Sequence, residues 1–241
     1  MHSAALILSI DTATTCGGVC LFRGGVVLAS VPTAAQMSHS NTLLRDINEM
    51  LKATGVAVAD IDLFAVARGP GSFTGLRIGI ATIKALAATL GRPCVGISTL
   101  HAIASAAGPS SATASLIPAG RGELFSQLLS VSSAGDVSEI DDPVHQPAQK
   151  IINKYSDKAE LIWAGPGAHA QQVLLGEAAR RAGYNLSALP KDEQGWKLAP
   201  IPANLSIEIA ALAIRQSEVN AAELRALYVR PSDPELKNVS N

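Results

Sequence analysis

Gly69-Pro70-Gly71-Ser72-Phe73-Thr74-Gly75-Leu76-Arg77-Ile78-Gly79 sets the architecture of everything around it. The block follows the apolar run Leu63-Phe64-Ala65-Val66-Ala67, which reads as a buried strand, and leads into residues 80–90, which read as a helix. It is therefore a strand-to-helix turn in which Gly69, Pro70 and Gly71 shape the backbone, and Ser72 or Thr74 caps the next helix. Such a turn exposes backbone N–H groups at a helix N-terminus and suits an anion. It lacks the Lys-Ser/Thr pair of a Walker loop and the Gly-x-Gly-x-x-Gly of a dinucleotide fingerprint. Gly75 and Gly79 lie four residues apart on one helical face, a spacing that lets another backbone come close, either inside the chain's own core or at an intermolecular interface.

Outward from this block, the chain alternates strands and helices. Residues 6–10, 18–22 and 26–29 read as three strands joined by a polar turn at Asp11–Thr15 and a tight Arg23-Gly24-Gly25 turn, an antiparallel meander. A helix comes next with Ser40 as its cap, Leu43, Leu44, Ile47, Met50 and Leu51 at helical spacing, and Gly55 as its stop. After the long Ala-rich helix, ended by Gly91 and Pro93, come a strand at 94–97 and a helix from Ser98 or Thr99 to near Gly108. The small polar stretch Gly108–Thr113 marks a division between residues 1–107 and 108–230, with 231–241 a loose tail. The second half reads as strands at 114–118 and 123–131, a polar loop at 136–147, a short helix at 148–154, a strand at 161–164, a Gly165-Pro166-Gly167 turn into a helix at 168–181, and a last helix at 205–216.

Composition narrows the function classes. The 241 residues are 48% hydrophobic with a formal net charge of -1, enough for two lobes with real cores and too apolar for a disordered chain. No uninterrupted apolar run looks long enough to span a bilayer, and the start of the chain lacks the basic n-region of a cleavable leader. The near-neutral balance of 19 Lys+Arg against 20 Asp+Glu argues against a dominant nucleic-acid surface. Cys16, Cys20 and Cys94 form no Cys-x-x-Cys and suit a reduced, cytoplasmic setting; with five scattered histidines they do not readily make a zinc site.

Ile10-Asp11-Thr12-Ala13-Thr14, His39-Ser40, Gly69–Gly79, Gly96-Ile97-Ser98-Thr99-Leu100, Gly122-Glu123-Leu124-Phe125 and Tyr228-Val229-Arg230, in this order, resemble the TsaD/TsaB family of tRNA threonylcarbamoyladenosine biosynthesis proteins. The resemblance covers almost the whole chain. It implies an α/β actin-like, Hsp70-like ATPase (ASKHA) fold of two lobes, each a mixed sheet flanked by helices. The TsaD members bind a metal through a His-x-x-x-His pair. The matching segment here is Thr99-Leu100-His101-Ala102-Ile103, so Thr99 and Ile103 stand where the histidines would be, and neither side chain replaces them. The Ser-Gly-Gly-His-Thr-Gln segment of TsaD corresponds to Pro118-Ala119-Gly120-Arg121-Gly122-Glu123, without Ser or His. Within the TsaB members Asp-Ala-Arg commonly precedes the Gly-Glu pair; here the Arg is displaced and the Asp missing, which puts in doubt any role resting on that Asp.

The resemblance thus implies a non-catalytic scaffold subunit, with no catalytic residue, metal or cofactor of its own. Its implied partners are TsaD in a heterodimer, the small ATPase TsaE, and a second copy in a homodimer, with tRNA engaged mainly through the complex and no membrane. The contrasting reading is an ATP-dependent phosphotransferase or metallopeptidase-like enzyme of the same fold. Asp11 stands where actin-like ATPases organise the metal and nucleotide phosphates, or is an Asx-turn residue. Gly165 and Gly167 stand where that fold touches adenosine, or form a plain turn. His39 and His101 have no carboxylate or nucleophile in sequence to make either a base, and Ser72 lacks a nucleophile elbow. The partner surface is expected on the first two long helices, with Leu43, Ile47, Leu51, Gly75, Arg77, Gly79, Ala81 and Ala85 as its residues, because the second helix is apolar or small on nearly every side.

Overall fold

The computed structural model describes residues 4–32, 39–188 and 195–229, with backbone only for 39–41. Two compact units emerge, one from Met1–Ala102 with Pro202–Leu227, the other from Ile103–Ile201 with Tyr228–Asn241.

The first unit is built on a five-stranded sheet of order β3-β2-β1-β4-β5, from β1 (Leu6–Asp11), β2 (Gly18–Arg23), β3 (Val26–Pro32), β4 (Leu63–Gly69) and β5 (Cys94–Ser98). β1, β2 and β3 form the antiparallel meander read from the two short turns, and β4 and β5 run parallel to β1. Alternation along β1 divides its faces. Leu6, Leu8 and Ile10 join one core cluster with Leu43, Ile47, Met50 and Leu51 of α1 (His39–Thr54) and Ile80, Ile83 and Ala87 of α2 (Phe73–Leu90). Ser9, on the other face, donates its hydroxyl to the Ser206 carbonyl at 2.7 Å, at the start of a late helix (Ser206–Ala213) that packs on β1, β2 and β4. Each of these fully buried Leu and Ile side chains contributes roughly 1.5–3 kcal/mol.

α1 begins at His39, one residue before the expected Ser40 cap, and the side chains at 39–41 lie outside the described residues. α2 has Ser72 at its N-cap and ends at Gly91, whose φ of 61° and ψ of 32° make the left-handed cap that glycine adopts at little cost. By length and mean hydropathy alone α2 is apolar enough to cross a bilayer, although Arg77 and Lys84 interrupt its apolar run. Its packing on β4 and α1 gives that apolarity a different use.

The second unit carries a seven-stranded sheet. After α3 (Thr99–Ala107) come β6 (Ser110–Gly120), β7 (Glu123–Val131), β8 (Val137–Glu139), β9 (Val144–Pro147), α4 (Ala148–Lys154), β10 (Leu161–Ala164), α5 (Pro166–Ala170), α6 (Gln172–Arg181), β11 (Leu186–Ala188) and β12 (Trp196–Leu198), with α7 the Ser206–Ala213 helix of the first unit. The sheet order is β11-β12-β10-β6-β7-β8, with β9 also on β7. Its core is aromatic: Trp163 meets Trp196 edge-on at 5.1 Å between ring centres, with Tyr155 and Tyr184 beside them.

Three expectations need correction. The polar loop at 136–147 contains β8 and β9, which pair on β7. The single helix at 168–181 is two helices that break at Gln171. Most of the polar stretch at 108–113 belongs to β6. The tail beyond Val229 lies outside the described residues.

Candidate functional site

In the first unit the Asp11–Cys16 turn and the Gly69–Ser72 turn are locked together. Asp11 is fully buried. Its Oδ1 accepts the Ala13 N–H at 2.7 Å and its Oδ2 accepts the Thr14 hydroxyl at 2.5 Å, while Thr14 Oγ1 accepts the Cys16 N–H at 3.1 Å. This is an Asx turn, with both carboxylate oxygens occupied by the loop itself. The Ser72 N–H donates to the Ala13 carbonyl at 2.9 Å, and the Thr12 hydroxyl donates to the Gly75 carbonyl at 2.7 Å.

That interlock defines what the two helix glycines do. A Cβ on Gly75 would overlap the Thr12 carbonyl, and one on Gly79 would overlap the Thr12 hydroxyl. Both spaces are taken by β1 and its turn. Leu43, Ile47 and Leu51 are likewise buried in the core beneath α1. The outward ridge of α2 is carried by Thr74, Arg77, Ala81, Ala85 and Ala88, all exposed and all at helical spacing. Phe73 opens this ridge at 53% exposure, and Leu44 of the adjacent α1 is 65% exposed. The Arg77 guanidinium carbon lies 3.8 Å from the centre of the Phe73 ring. Sequence reading named Arg77 but passed over Phe73; their i, i+4 spacing was the available signal.

Gly165 and Gly167 belong to the second unit. Gly165 is the N-cap of α5, with φ at 91°, and Pro166 occupies the first helical position. A Cβ on Gly165 would lie 2.6 Å from the Leu116 carbonyl oxygen, and one on Gly167 2.8 Å from the Leu116 carbonyl carbon. The side that lacks a Cβ is thus filled by β6.

Thr99 and Ile103 are 0% and 2% exposed, and Ile103 packs against Gly165. The Ser98 and Thr99 hydroxyls are buried without a hydrogen-bond partner among the described residues. Gly120, Arg121 and Gly122 form the tight turn between β6 and β7, with Arg121 at φ 52°, and beyond it His145 Nε2 lies 2.8 Å from Glu123 Oε2. His101 is half-buried, while the His39 side chain lies outside the described residues. Burial pushes all three thiols up, Cys20 to about 12. Among the described residues no three His, Cys, Asp or Glu side chains form a metal-binding group. A cleft of about 180 Å³ in the second unit, with Glu160 and Lys197 on its rim, opens at the N-terminal ends of β6, β10 and β12, away from the carboxyl ends where parallel sheets bind ligands.

Comparison with known proteins matches this arrangement to one family. Residues 22–186 match the family model described as TsaD, tRNA N6-adenosine threonylcarbamoyltransferase. The chain is 32% identical over 237 residues to the tRNA threonylcarbamoyladenosine biosynthesis protein TsaB of Haemophilus influenzae, covering 93% of each. It is 40% identical over 101 residues to TsaB of Escherichia coli, a match spanning 42% of this chain and 43% of that one. The solved structure of YeaZ from Pseudomonas aeruginosa superposes with a TM-score of 0.71 at 23% identity, covering 93% of this chain and 100% of that one, a likeness of fold. The two mixed sheets flanked by helices are an actin-like, ASKHA-type fold, and the chain belongs to the TsaD/TsaB family of tRNA threonylcarbamoyladenosine biosynthesis proteins.

Proposed function

We propose that this chain is a non-catalytic scaffold subunit of the complex that installs the threonylcarbamoyl group on tRNA, binding and supporting a TsaD-type transferase. The observation that carries the reading is the outward ridge of α2. A helix whose inner face is already packed on β4, β5 and the turn after β1 still presents Ala81, Ala85 and Ala88 to solvent, with Phe73 exposed at its start. Small side chains permit close helix approach, and an apolar exposed face gains by being covered. The residues proposed for contact are therefore Arg77, Ala81 and Ala85, while Leu43, Ile47, Leu51, Gly75 and Gly79 hold the two helices in place from behind. Self-association through the same ridge competes with the heterodimer, TsaE joins the assembled pair, and tRNA is engaged by the whole complex, in the cytoplasm.

The absence of chemistry in this subunit is supported by the side chains at the aligned positions. Thr99 and Ile103 are core side chains, and Asp11 is buried with each carboxylate oxygen bonded to its own turn, one to the Ala13 N–H and one to the Thr14 hydroxyl. The contribution left to the chain is binding and positioning of the catalytic partner.

The test is direct. Purified chain and the TsaD of the same organism are mixed and followed by size-exclusion chromatography and titration calorimetry, and each is assayed for transfer to tRNA. The expected results are a stoichiometric complex, transfer only when TsaD is present, and at least about tenfold weaker binding for Ala85→Arg without a change in thermal unfolding. Transfer by the isolated chain, or unchanged binding of a folded Ala85→Arg variant, overturns the reading.

A further inference from the structure

We propose that Arg77, laid on the ring of Phe73, is a preset carboxylate clamp at the N-terminal end of the α2 ridge, and that its occupant is an Asp or Glu on a helix of the hetero-partner. The inference rests on the reading of the ridge as the partner surface and adds the feature that separates the partner from a second copy.

Arg77 makes no hydrogen bond or ion pair among the described residues; its one contact of note is the 3.8 Å stack on Phe73. Stacking occupies the guanidinium face and leaves its edge, with a fork of N–H donors, turned toward solvent. An arginine held this way has surrendered part of its side-chain entropy before any partner arrives, so less is lost when a planar, two-oxygen group docks on the fork.

The surroundings select the class of occupant. α2 contains two cations, Arg77 and Lys84, and no acidic residue. The Lys84 ammonium already reaches the Leu224 carbonyl at 3.4 Å, so Arg77 is the open charge of this helix among the described residues. Beyond it the ridge continues as Ala81, Ala85 and Ala88, uncharged and flat. A nucleic-acid strand following the ridge would meet one cation and then three methyl groups, a poor electrostatic track. A helix with small or apolar residues and one carboxylate opposite Arg77 matches both parts.

A second copy matches less well. Its α2 has no carboxylate, and the carboxylates of its α1, Asp46 and Glu49, lie 3.4 and 3.9 Å from the Arg45 guanidinium of the same helix. The alanine ridge serves homodimer and heterodimer alike, whereas the clamp is satisfied only in the heterodimer.

The experiment is a calorimetric titration of TsaD with the wild-type chain, Arg77→Ala, Arg77→Lys, Phe73→Leu and Ala85→Arg, at two salt concentrations, with self-association of each chain followed by sedimentation. Arg77→Ala is expected to weaken the heterodimer by about tenfold or more and to flatten its salt dependence, while weakening self-association by a clearly smaller factor. Arg77→Lys is expected to weaken the heterodimer almost as much, because an ammonium has no planar fork to bind a carboxylate bidentately while stacked on a ring. Phe73→Leu is expected to cost a smaller factor. Heterodimer affinity within twofold of wild type for Arg77→Ala, full affinity for Arg77→Lys, or equal weakening of both dimers overturns the clamp. If the clamp fails while Ala85→Arg still breaks the heterodimer, the ridge reading stands alone; if Ala85→Arg is also without effect, both fall.

Discussion

The tripeptide Gly-Pro-Gly occurs twice after a strand, and the two copies build different structures. In the first unit Gly69-Pro70-Gly71 is a separate turn with a cis Gly69–Pro70 bond, followed by the Ser72 cap and an 18-residue helix. In the second unit Gly165-Pro166-Gly167 is itself the helix start, with Gly165 as N-cap and Pro166 at the first position, and the helix stops after five residues. Pro at the first helical position is well suited, since its missing N–H is unpaired there anyway. The difference lies in the residues just after each tripeptide. Ser72 offers a capping oxygen, whereas Ala168, His169 and Ala170 offer none to their own helix, and the His169 ring instead bonds the Ala199 carbonyl at 2.7 Å. The two copies share one principle, that glycine is required because backbone from elsewhere in the unit occupies the place of a side chain. In the first unit Ala13 stands behind Gly71, and Thr12 behind Gly75 just beyond it; in the second Leu116 stands behind both Gly165 and Gly167.

The strongest test of that shared principle is to add a single methyl group on each side. Gly75→Ala and Gly167→Ala each drive a Cβ into backbone atoms that no side-chain rotation can clear. Each is expected to destabilise by about 3 kcal/mol or more, at the upper end of overpacking costs. Ala81→Val on the outward ridge should cost under about 1 kcal/mol, a small loss of helix propensity. Thermal or urea unfolding followed by circular dichroism measures all three. A Gly75→Ala variant as stable as wild type would break the comparison, since the close approach to Thr12 would then carry no energetic weight.

The contrast also shows how far sequence alone reaches. The strand–turn–helix step at 63–90 was legible because every signal is local: a buried apolar run, a glycine turn, a capping Ser72 and a stopping Gly91. The strands β8, β9, β11 and β12 were not, because each has three or four residues and is held by pairing with a neighbour rather than by its own pattern. The break at Gln171 has no Gly or Pro to announce it. At the candidate site, Asp11 was legible as a turn residue. The direction of α2 was not, because a helix apolar all round gives no clue to its inner face, and Thr12, more than sixty residues upstream of Gly75, settles it.

The two cores differ in the groups that burial holds neutral, and alkaline pH sharpens that difference. Cys20, on β2 of the first unit, is pushed from 9.0 up to about 12, chiefly by burial. Tyr155, in the second, is raised above its ordinary 10.0 by burial and by the neighbouring Asp141 carboxylate, which accepts its hydroxyl at 2.7 Å. In both cases the folded pKa exceeds the unfolded one. The associated stability is therefore complete below the unfolded value and lost as pH rises toward the folded one. The Cys20 contribution should decline from about pH 9.0 to about 12, and that of Tyr155 from about 10.0 upward. Each ionisation steepens the fall by up to about 1.4 kcal/mol per pH unit. Cys20→Ala should remove the earlier component, and Tyr155→Phe the later one. Both tryptophans of the chain, Trp163 and Trp196, sit in the second unit, so their fluorescence reports the Tyr155 component against circular dichroism of the whole. Identical pH profiles for wild type and Cys20→Ala would show that the thiol does not ionise on unfolding as its burial requires.

The smallest effect separates the two helix starts themselves. Ser72 Oγ accepts the Gly75 N–H at 3.2 Å from a residue with ψ at 118°, an extended backbone that aims the hydroxyl back at the first turn. Ser72→Ala should cost about 1 kcal/mol. Gln171, which opens α6, has no side-chain cap, and replacing it by a good capping residue looks like an easy gain. Its ψ of 16° argues otherwise. With the backbone in the bridge region, and its N–H already committed to the Ala168 carbonyl at 3.1 Å, the side chain leaves along a direction that does not return to the first turn of α6. Gln171→Ser should therefore change stability by less than about 0.5 kcal/mol, the ordinary surface range. A gain as large as the Ser72 loss would mean that the junction relaxes freely into cap geometry, and that packing of Gly165 and Gly167 on Leu116 does not fix the break.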